Sequence, residues 1–291
     1  MYAITGITGK VGGAVATSLL AAGQSVRAVL RDPGKGRIWA DLGCELAPAE
    51  MEDAAALTDA FRGADGVFIL PPSDFDPAPG FPKARAVIAA VKTALEAAHP
   101  KKVVCLSTIG AQATQLNLLT QRTLMEGALR ELAMPVTFLR PAWFMENFGL
   151  DVASARDSGV IASFLQPLDK PFPMIATPDV GRVAAELIQQ DWQGHRIVEL
   201  EAARRITPNE VAATFARILG RRVSAEVVPR ETWEATFRSQ GMKNPTPRMR
   251  MLDGFNEGWI EFEGAAARAD TVALETVLRG LLDAQAQRSP G

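Results

Sequence analysis

The sequence predicts an α/β protein built on a doubly wound parallel sheet, followed by a smaller C-terminal α/β lobe. Two observations carry this. Through the first half, short unbroken apolar runs alternate with helix-length stretches, the rhythm of strand–helix–strand units whose strands are covered on both faces. After about residue 148 that rhythm loosens into a proline-rich stretch, "SGVIASFLQPLDKPFPMIATPDV", before helix and strand patterns return.

In chain order, "YAIT" reads as a buried strand, "KVGGAVATSLLAAG" as a helix and "SVRAVLR" as the second strand. "CELAPA" is the third strand, "DAAALTDAF" a helix and "GVFILPP" the fourth strand. The helix "ARAVIAAVKTALEAA", the strand "KKVVCLS", the helix "TQRTLMEGALREL" and the strand "PVTFLRP" complete a six-strand set. Further on, Val183, Leu187 and Ile188 share one helix face, and "RIVELE" follows as a strand. In "ITPNEVAATFARILGR", Thr207 is an N-cap, Pro208 a first-turn residue and Glu210 the partner in a capping box. Val211, Phe215, Ile218 and Leu219 form that helix's apolar stripe, and Gly220 ends it. "VSAEVVP" reads as a strand, "RETWEATFRSQG" as a helix and the final "AQAQRSPG" as a frayed tail. The division expected is a nucleotide-binding domain over residues 1–148 and a cap over 149–291, with parts of the second free to rejoin the first sheet.

Composition narrows the function classes. With 291 residues, 22% charged and 47% hydrophobic, the chain is an ordinary globular protein. A formal charge of −2 and a pI near 5.9 argue against nucleic acid, which demands a clustered basic surface. No apolar run approaches the ~20 residues that cross a bilayer. Cys44 and Cys105 sit in apolar contexts and read as buried thiols of a reducing cytoplasm. His99 and His195 lie far apart in the sequence, and no cluster stands at ligand spacing, so no metal is expected. Lys10 followed by "VGGAVATSLLAAG" imitates a signal peptide, but the strand-like residues before it and its paired glycines favour a helix of the fold.

The turn "GITGKVG" identifies the first domain as Rossmann-like. Gly6, Gly9 and Gly12 follow a strand directly and open a helix. Gly6 allows the tight turn, Gly9 lets backbone approach a pyrophosphate, and Gly12 permits close packing of helix on strand. Anionic phosphates then meet free N–H groups at the helix's positive end. Where an NAD enzyme places an acid at the end of strand two, this chain reads "AVLRDP". Arg31, with Lys35 and Arg37 after it, suits a 2′-phosphate. NADPH is therefore favoured, with NADH the weaker alternative; a solvated Arg31 with Asp32 serving the ribose is the competing reading.

These stretches, together with "VVCLSTIGA", "PVTFLRPAWFMENF" and "ITPNEVAATFARILGR", resemble the NmrA-like, atypical short-chain dehydrogenase/reductase proteins. Within that family the chain is similar to the flavin-free NAD(P)H azoreductases and the NAD(P)H:quinone oxidoreductases. The resemblance covers nearly the whole chain and implies a Rossmann domain, a small lobe and a cleft between them. It also implies a cofactor site. Ile7, Thr8, Lys10 and Val11 join the three glycines, and Leu70, Pro71 and Pro72 border the adenosine half. Pro141, Ala142 and Trp143 border the nicotinamide, and Ser107 and Arg140 belong to the cofactor site as well. Glu50 matches an acidic position near the adenine, or is a solvated carboxylate.

The chain departs from the ordinary short-chain pattern of Ser, Tyr and Lys. Its single tyrosine, Tyr2, lies in the first strand, and the helix expected to carry Y-x-x-x-K reads "LLTQRTLMEG". Arg122 stands where many relatives have lysine, and Ser107 and Thr108 stand where the family's serine falls. Catalytic residues are therefore unassigned, with Gln121, Arg122 and Ser107 as candidates. Arg122 either steers an anionic group or belongs to a solvated helix face; a guanidinium is no general acid. Trp143, Phe144 and Phe148 can sandwich a flat aromatic substrate, or form interface core. Asn147 can hydrogen-bond substrate, or cap the next helix.

Alcohol and ketone redox draws ~10²–10⁴-fold from a placed proton donor. A quinone or azo compound needs mainly orientation against the nicotinamide, with water supplying the proton. The expectation is thus flavin-free, NADPH-dependent hydride transfer to an azo or quinone substrate, by a monomer or homodimer. The alternative is a non-catalytic NADP(H)-binding redox sensor; the missing tyrosine disfavours sugar epimerisation.

Overall fold

The apolar runs become strands and the periodic stretches helices, in the order expected. The computed structural model describes residues 1–269 and 272–287. The first half runs β1 (Tyr2–Thr5), α1 (Lys10–Ala21), β2 (Val26–Leu30), α2 (Arg37–Asp41), β3 (Glu45–Pro48), α3 (Ala54–Phe61) and β4 (Gly66–Ile69). It continues with α4 (Pro82–Ala98), β5 (Val103–Leu106), α5 (Thr120–Leu129) and β6 (Val136–Pro141). The second half runs β7 (Trp143–Phe144), α6 (Val152–Asp157), β8 (Val160–Ser163), β9 (Met174–Ile175), α7 (Thr177–Gln189) and β10 (His195–Glu201). Then come α8 (Pro208–Leu219), β11 (Ser224–Val227), α9 (Trp233–Ser239), α10 (Thr246–Glu257), β12 (Ala267–Arg268) and α11 (Leu274–Ala286).

Eight strands form the central sheet among the described residues, in the order β12-β10-β6-β5-β4-β1-β2-β3, and every pairing is parallel. The order reverses between β1 and β4, which opens a crevice at the carboxyl ends of the strands. Side chains alternate across the sheet. Tyr2, Ile4 and Phe68 face α1 and α7, while Ala3, Val67 and Ile69 face α3, α4 and α5. The central strands β1, β4, β5 and β6 are buried on both faces, which is why they read as continuous apolar runs.

Residues beyond 148 return to this sheet. Strand β10 pairs with β6 from His195↔Val136 to Leu200↔Pro141, and α7 lies against α1. Gly181 makes that second contact: a Cβ there would sit 2.3 Å from the Cβ of Ala14. The lobe has its own core around Trp233, Phe215 and Phe237, with Phe164 stacked on Phe237 at 5.0 Å. Helix α8 carries the capping box read from sequence: Glu210 N–H donates to Thr207 Oγ1 at 3.1 Å and Thr207 N–H to Glu210 Oε2 at 2.8 Å. Gly220 ends it at φ +64°. Of the expected frayed tail over residues 284–291, residues 284–286 are helical in α11, and residues 288–291 lie outside the described residues. Cys44 and Cys105 are buried and unpaired, and burial pushes the Cys105 thiol up to about 12.

Replacing Gly181 with alanine forces α7 away from α1. The expected outcome is a loss of ~1–3 kcal/mol, the usual range for overpacking. It will appear in urea unfolding as a lower midpoint with an unchanged m value.

Candidate functional site

At the crevice, β1 ends in Gly6, whose φ of +63° turns the chain sharply, and the Gly9 N–H donates to the Gly6 carbonyl at 2.9 Å. Helix α1 then starts almost in contact with that carbonyl. A Cβ on Gly12 would lie 2.3 Å from the Gly6 oxygen, so only glycine fits. Gly9 is the N-cap and offers no side chain, and the first turn carries no acidic residue. The first-turn N–H groups and the positive helix end are therefore left for an external acceptor. Thr8, Gly9 and Lys10 are exposed; Ile7 and Val11 are buried and anchor the turn, which leaves their backbone as the part able to meet a ligand.

A cleft of about 540 Å³ runs from Gly6 and Thr8 past Arg31 and Glu50 to Leu70, Pro71 and Pro72. Val87, Ile88 and Met125 supply apolar surface, and Gln121 and Arg122 stand on its wall. Arg31 is exposed and forms no ion pair among the described residues. Asp32, by contrast, is turned into its own backbone: its Oδ1 accepts the Gly34 N–H at 2.9 Å and caps the short 3-10 turn over Pro33–Gly36. The cleft thus presents a free cation at the end of β2.

Gln121 and Arg122 do not form a solvated helix face. Gln121 is buried; its Nε2 donates to the Asp74 carbonyl at 2.9 Å and its Oε1 accepts the Asp74 N–H at 3.2 Å. Arg122 donates to the carbonyls of Pro71 (2.9 Å) and Pro72 (3.3 Å) and to Ser73 Oγ (2.8 Å). All three acceptors are neutral, and burial pulls its guanidinium down to about 10. Both residues hold the rim of the cleft.

Arg140, expected beside the cofactor, lies in β6 enclosed by carboxylates. It is 2% exposed, and its guanidinium donates to both carboxylate oxygens of Glu126, at 2.8 and 2.7 Å, and to Gln112 and Glu263. Burial opposes its charge, but Glu126 and Glu263 outweigh that and hold it above its ordinary value. Ser107 is drawn into the same cluster, donating to Glu126 Oε1 at 2.5 Å. Its hydroxyl proton is therefore committed, although an oxygen lone pair remains. Pro141 and Ala142 are buried at the end of β6.

The three aromatics expected to sandwich a substrate are divided by the pleat of β7. Phe144 packs with the α1/α7 core, whereas Trp143 and Phe148 pack with the lobe. Trp143 meets Phe255 edge-on, with centroids 5.2 Å apart, and its buried Nε1–H finds no acceptor among the described residues. An orphaned buried donor costs ~1–3 kcal/mol. Asn147 is exposed and caps nothing; helix α6 has no side-chain cap.

The segment "DGFNEGWIEFEG", residues 253–264, is held by close packing and ion pairs. Gly254 and Gly110 both receive Ile260, where a Cβ would lie 2.7 Å from its side chain. Glu261 pairs with Arg205, Glu263 with Arg140, and Glu199 accepts the N–H groups of Glu263 and Gly264. The segment straps the lobe over the ends of β5, β6 and β10. Among the described residues no group of three His, Cys, Asp or Glu is placed to hold a metal ion, and no helix is long and apolar enough to cross a membrane.

A model of the NmrA-like family matches residues 2–256. The chain belongs to the NmrA-like family. Quinone oxidoreductase 2 from Escherichia coli (strain K12) is 27% identical over 244 residues, spanning 83% of this chain and 82% of that protein. NAD(P)H azoreductase from Xenophilus azovorans is 26% identical over 260 residues, spanning 88% and 85%. Among solved structures, Citrobacter sp. triphenylmethane reductase complexed with NADP(H) matches with a TM-score of 0.80 at 21% identity, over 97% of this chain and 99% of that one, which shows a shared fold.

One acidic group of this NmrA-like chain escaped sequence reading. Asp151, at the start of α6, is raised to about 6 by burial alone, with no hydrogen-bond donor on its carboxylate among the described residues. A lone Asp carries no sequence signal of desolvation. Because its folded pKa lies above the unfolded value, its favourable contribution is complete at acid pH and lost as pH rises through about 6. Asp151→Asn is expected to leave stability unchanged near pH 4 and to raise it at pH 8 by ~1–2 kcal/mol, measured by urea unfolding at the two pH values.

Proposed function

We propose that this chain is an NAD(P)H oxidoreductase of the NADPH-preferring, flavin-free kind, passing hydride directly to a quinone or azo compound. The observation that carries the reading is the uncapped start of α1, seated on Gly6 by Gly12, in one cleft with an unpaired Arg31. The close approach at Gly12 sets the uncapped N–H groups of α1 at the crevice, beside a cation with no ion-pair partner among the described residues, an arrangement that suits a dinucleotide carrying a 2′-phosphate. Names among the relatives, quinone oxidoreductase and NAD(P)H azoreductase, support the same class.

In this reading the backbone of residues 6–12 receives the pyrophosphate, and Arg31 with the exposed Lys35 takes the 2′-phosphate. Leu70, Pro71 and Pro72 wall the adenosine half, held from behind by Arg122. The bound cofactor supplies a hydride equivalent at its nicotinamide ring. Around the ends of β5 and β6, the chain's own part is to orient and to exclude water. The half-buried Trp143 ring, braced edge-on by the buried Phe255, offers an aromatic surface to a flat acceptor. With the Ser107 hydroxyl given to Glu126, the proton that completes reduction comes from water, which a quinone or azo acceptor tolerates. That same commitment of Ser107 favours one second reading, an NADP(H) sensor without turnover.

Loss of the NADPH absorbance band in the presence of quinones or azo dyes, without added flavin, tests the reading. Tight cofactor binding with no acceptor reduced moves the assignment to the sensor. Arg31→Ala is expected to weaken NADPH at least about tenfold more than NADH, as a charge-assisted contact to phosphate requires; equal losses overturn the assignment to the 2′-phosphate. Gly12→Ala is expected to abolish binding of both nucleotides while the chain remains folded by circular dichroism.

A further inference from the structure

The loop joining β4 to α4, "LPPSDFDPAPGF" over residues 70–81, enters the functional reading only through its first three residues. The rest is fastened in two directions. On the cleft side, Gln121 grips Asp74 through both its N–H and its carbonyl, and Arg122 holds Pro71, Pro72 and Ser73. On the lobe side, the Asp76 carboxylate accepts the backbone N–H of Lys243 at 2.8 Å and of Asn244 at 2.6 Å. A single residue, Phe75, separates the two anchorages, and the Asp76 N–H donates back to Asp74 Oδ1 at 3.2 Å. Little slack is left between them.

Residues 243–244 lead directly into α10. That helix is pinned again where the Leu118 N–H, from the loop after β5, donates to the Pro247 carbonyl at 2.8 Å. Its far end carries Phe255, the ring set edge-on against Trp143. A hydrogen-bonded path therefore runs from the cleft wall at Pro71, through Asp74 and Asp76, along α10 to the aromatic pair. Among the described residues the Asp76 link is its one charge-assisted joint between loop and lobe, and such bonds are the strong ones.

We propose that Asp76 is a positioning residue: when the nucleotide cleft is filled and its wall is ordered, Asp76 fixes α10 so that the buried Phe255 braces Trp143 at the acceptor site, and acceptor binding follows cofactor binding. The inference rests on the reading that the cleft takes NADPH and that Trp143 borders the acceptor. A ligand shifts such an equilibrium only through contacts that differ between the two states. In this proposal the contact that changes on cofactor binding is the cleft wall at residues 70–74.

Two measurements test it. In Asp76→Asn, NADPH affinity stays within about twofold of the parent, whereas KM for the quinone rises about tenfold with kcat at saturation nearly unchanged, the size expected for losing bonds to a charged acceptor. Independently of turnover, hydrogen exchange in residues 246–257 of the unsubstituted chain slows on adding NADPH, together with residues 6–12. In Asp76→Asn only residues 6–12 respond. Protection of 6–12 with α10 indifferent to NADPH overturns the inference and leaves the cofactor reading standing. A parallel loss of NADPH affinity, KM and kcat in the variant also overturns it, because that is plain destabilisation. Absence of protection anywhere in the unsubstituted chain removes the cofactor reading and this inference with it.

Discussion

The start of α1 comes so close to the end of β1 that no side chain fits between them, and the crevice is organised around that approach. The Gly6 oxygen would lie 2.3 Å from any Cβ on Gly12. Because the helix sits this low on the sheet, its first-turn N–H groups open above the ends of β1 and β4, where the strand order reverses. A second small-residue contact supports the first from behind, with α7 brought onto α1 at Gly181 and Ala14. The packing of the helix layer and the chemistry of the crevice thus share a cause: missing methyl groups at defined positions.

Three arginines near the crevice show how pairing decides role. Arg31 is exposed without a carboxylate and remains available to an anion. Arg122 is partly buried and satisfied by neutral oxygens, so it shapes the rim. Arg140 is enclosed by Glu126, Glu199 and Glu263 and rivets β6 to α5, β10 and the strap at 261–264. Removing one partner from such a cluster strands a buried charge, so it has to be kept whole. On α5, Gln121 and Arg122 are bonded to the loop at 71–74, and Ser107 donates to Glu126. The electrostatics of this half of the crevice hold the lobe in place.

Much was legible from the sequence because it depends on neighbours. The strands of the first half, the glycine turn, the capping box of α8 and its glycine stop all follow from spacing within a few residues. Backbone dihedrals, helix periodicity and N–H satisfaction at helix ends are local physics. Arg31 at the end of β2 belongs here too, since its place follows from the length of one strand. By themselves these residues determined an α/β chain with a helix start shaped for phosphate.

The remainder was decided by partners distant in sequence. Arg140 reads as a strand-end cation until Glu263, 123 positions later, folds against it. Asp76 looks like a loop residue until the amides at 243 and 244 arrive, and Asp151 shows its desolvation only once the lobe closes. Phe144 and Trp143 are adjacent in the chain yet belong to different cores, because a two-residue strand sends them to opposite sides. Pattern reports which residues are apolar or charged; burial and ion pairing depend on which surfaces meet, and that is settled only when sheet and lobe pack together.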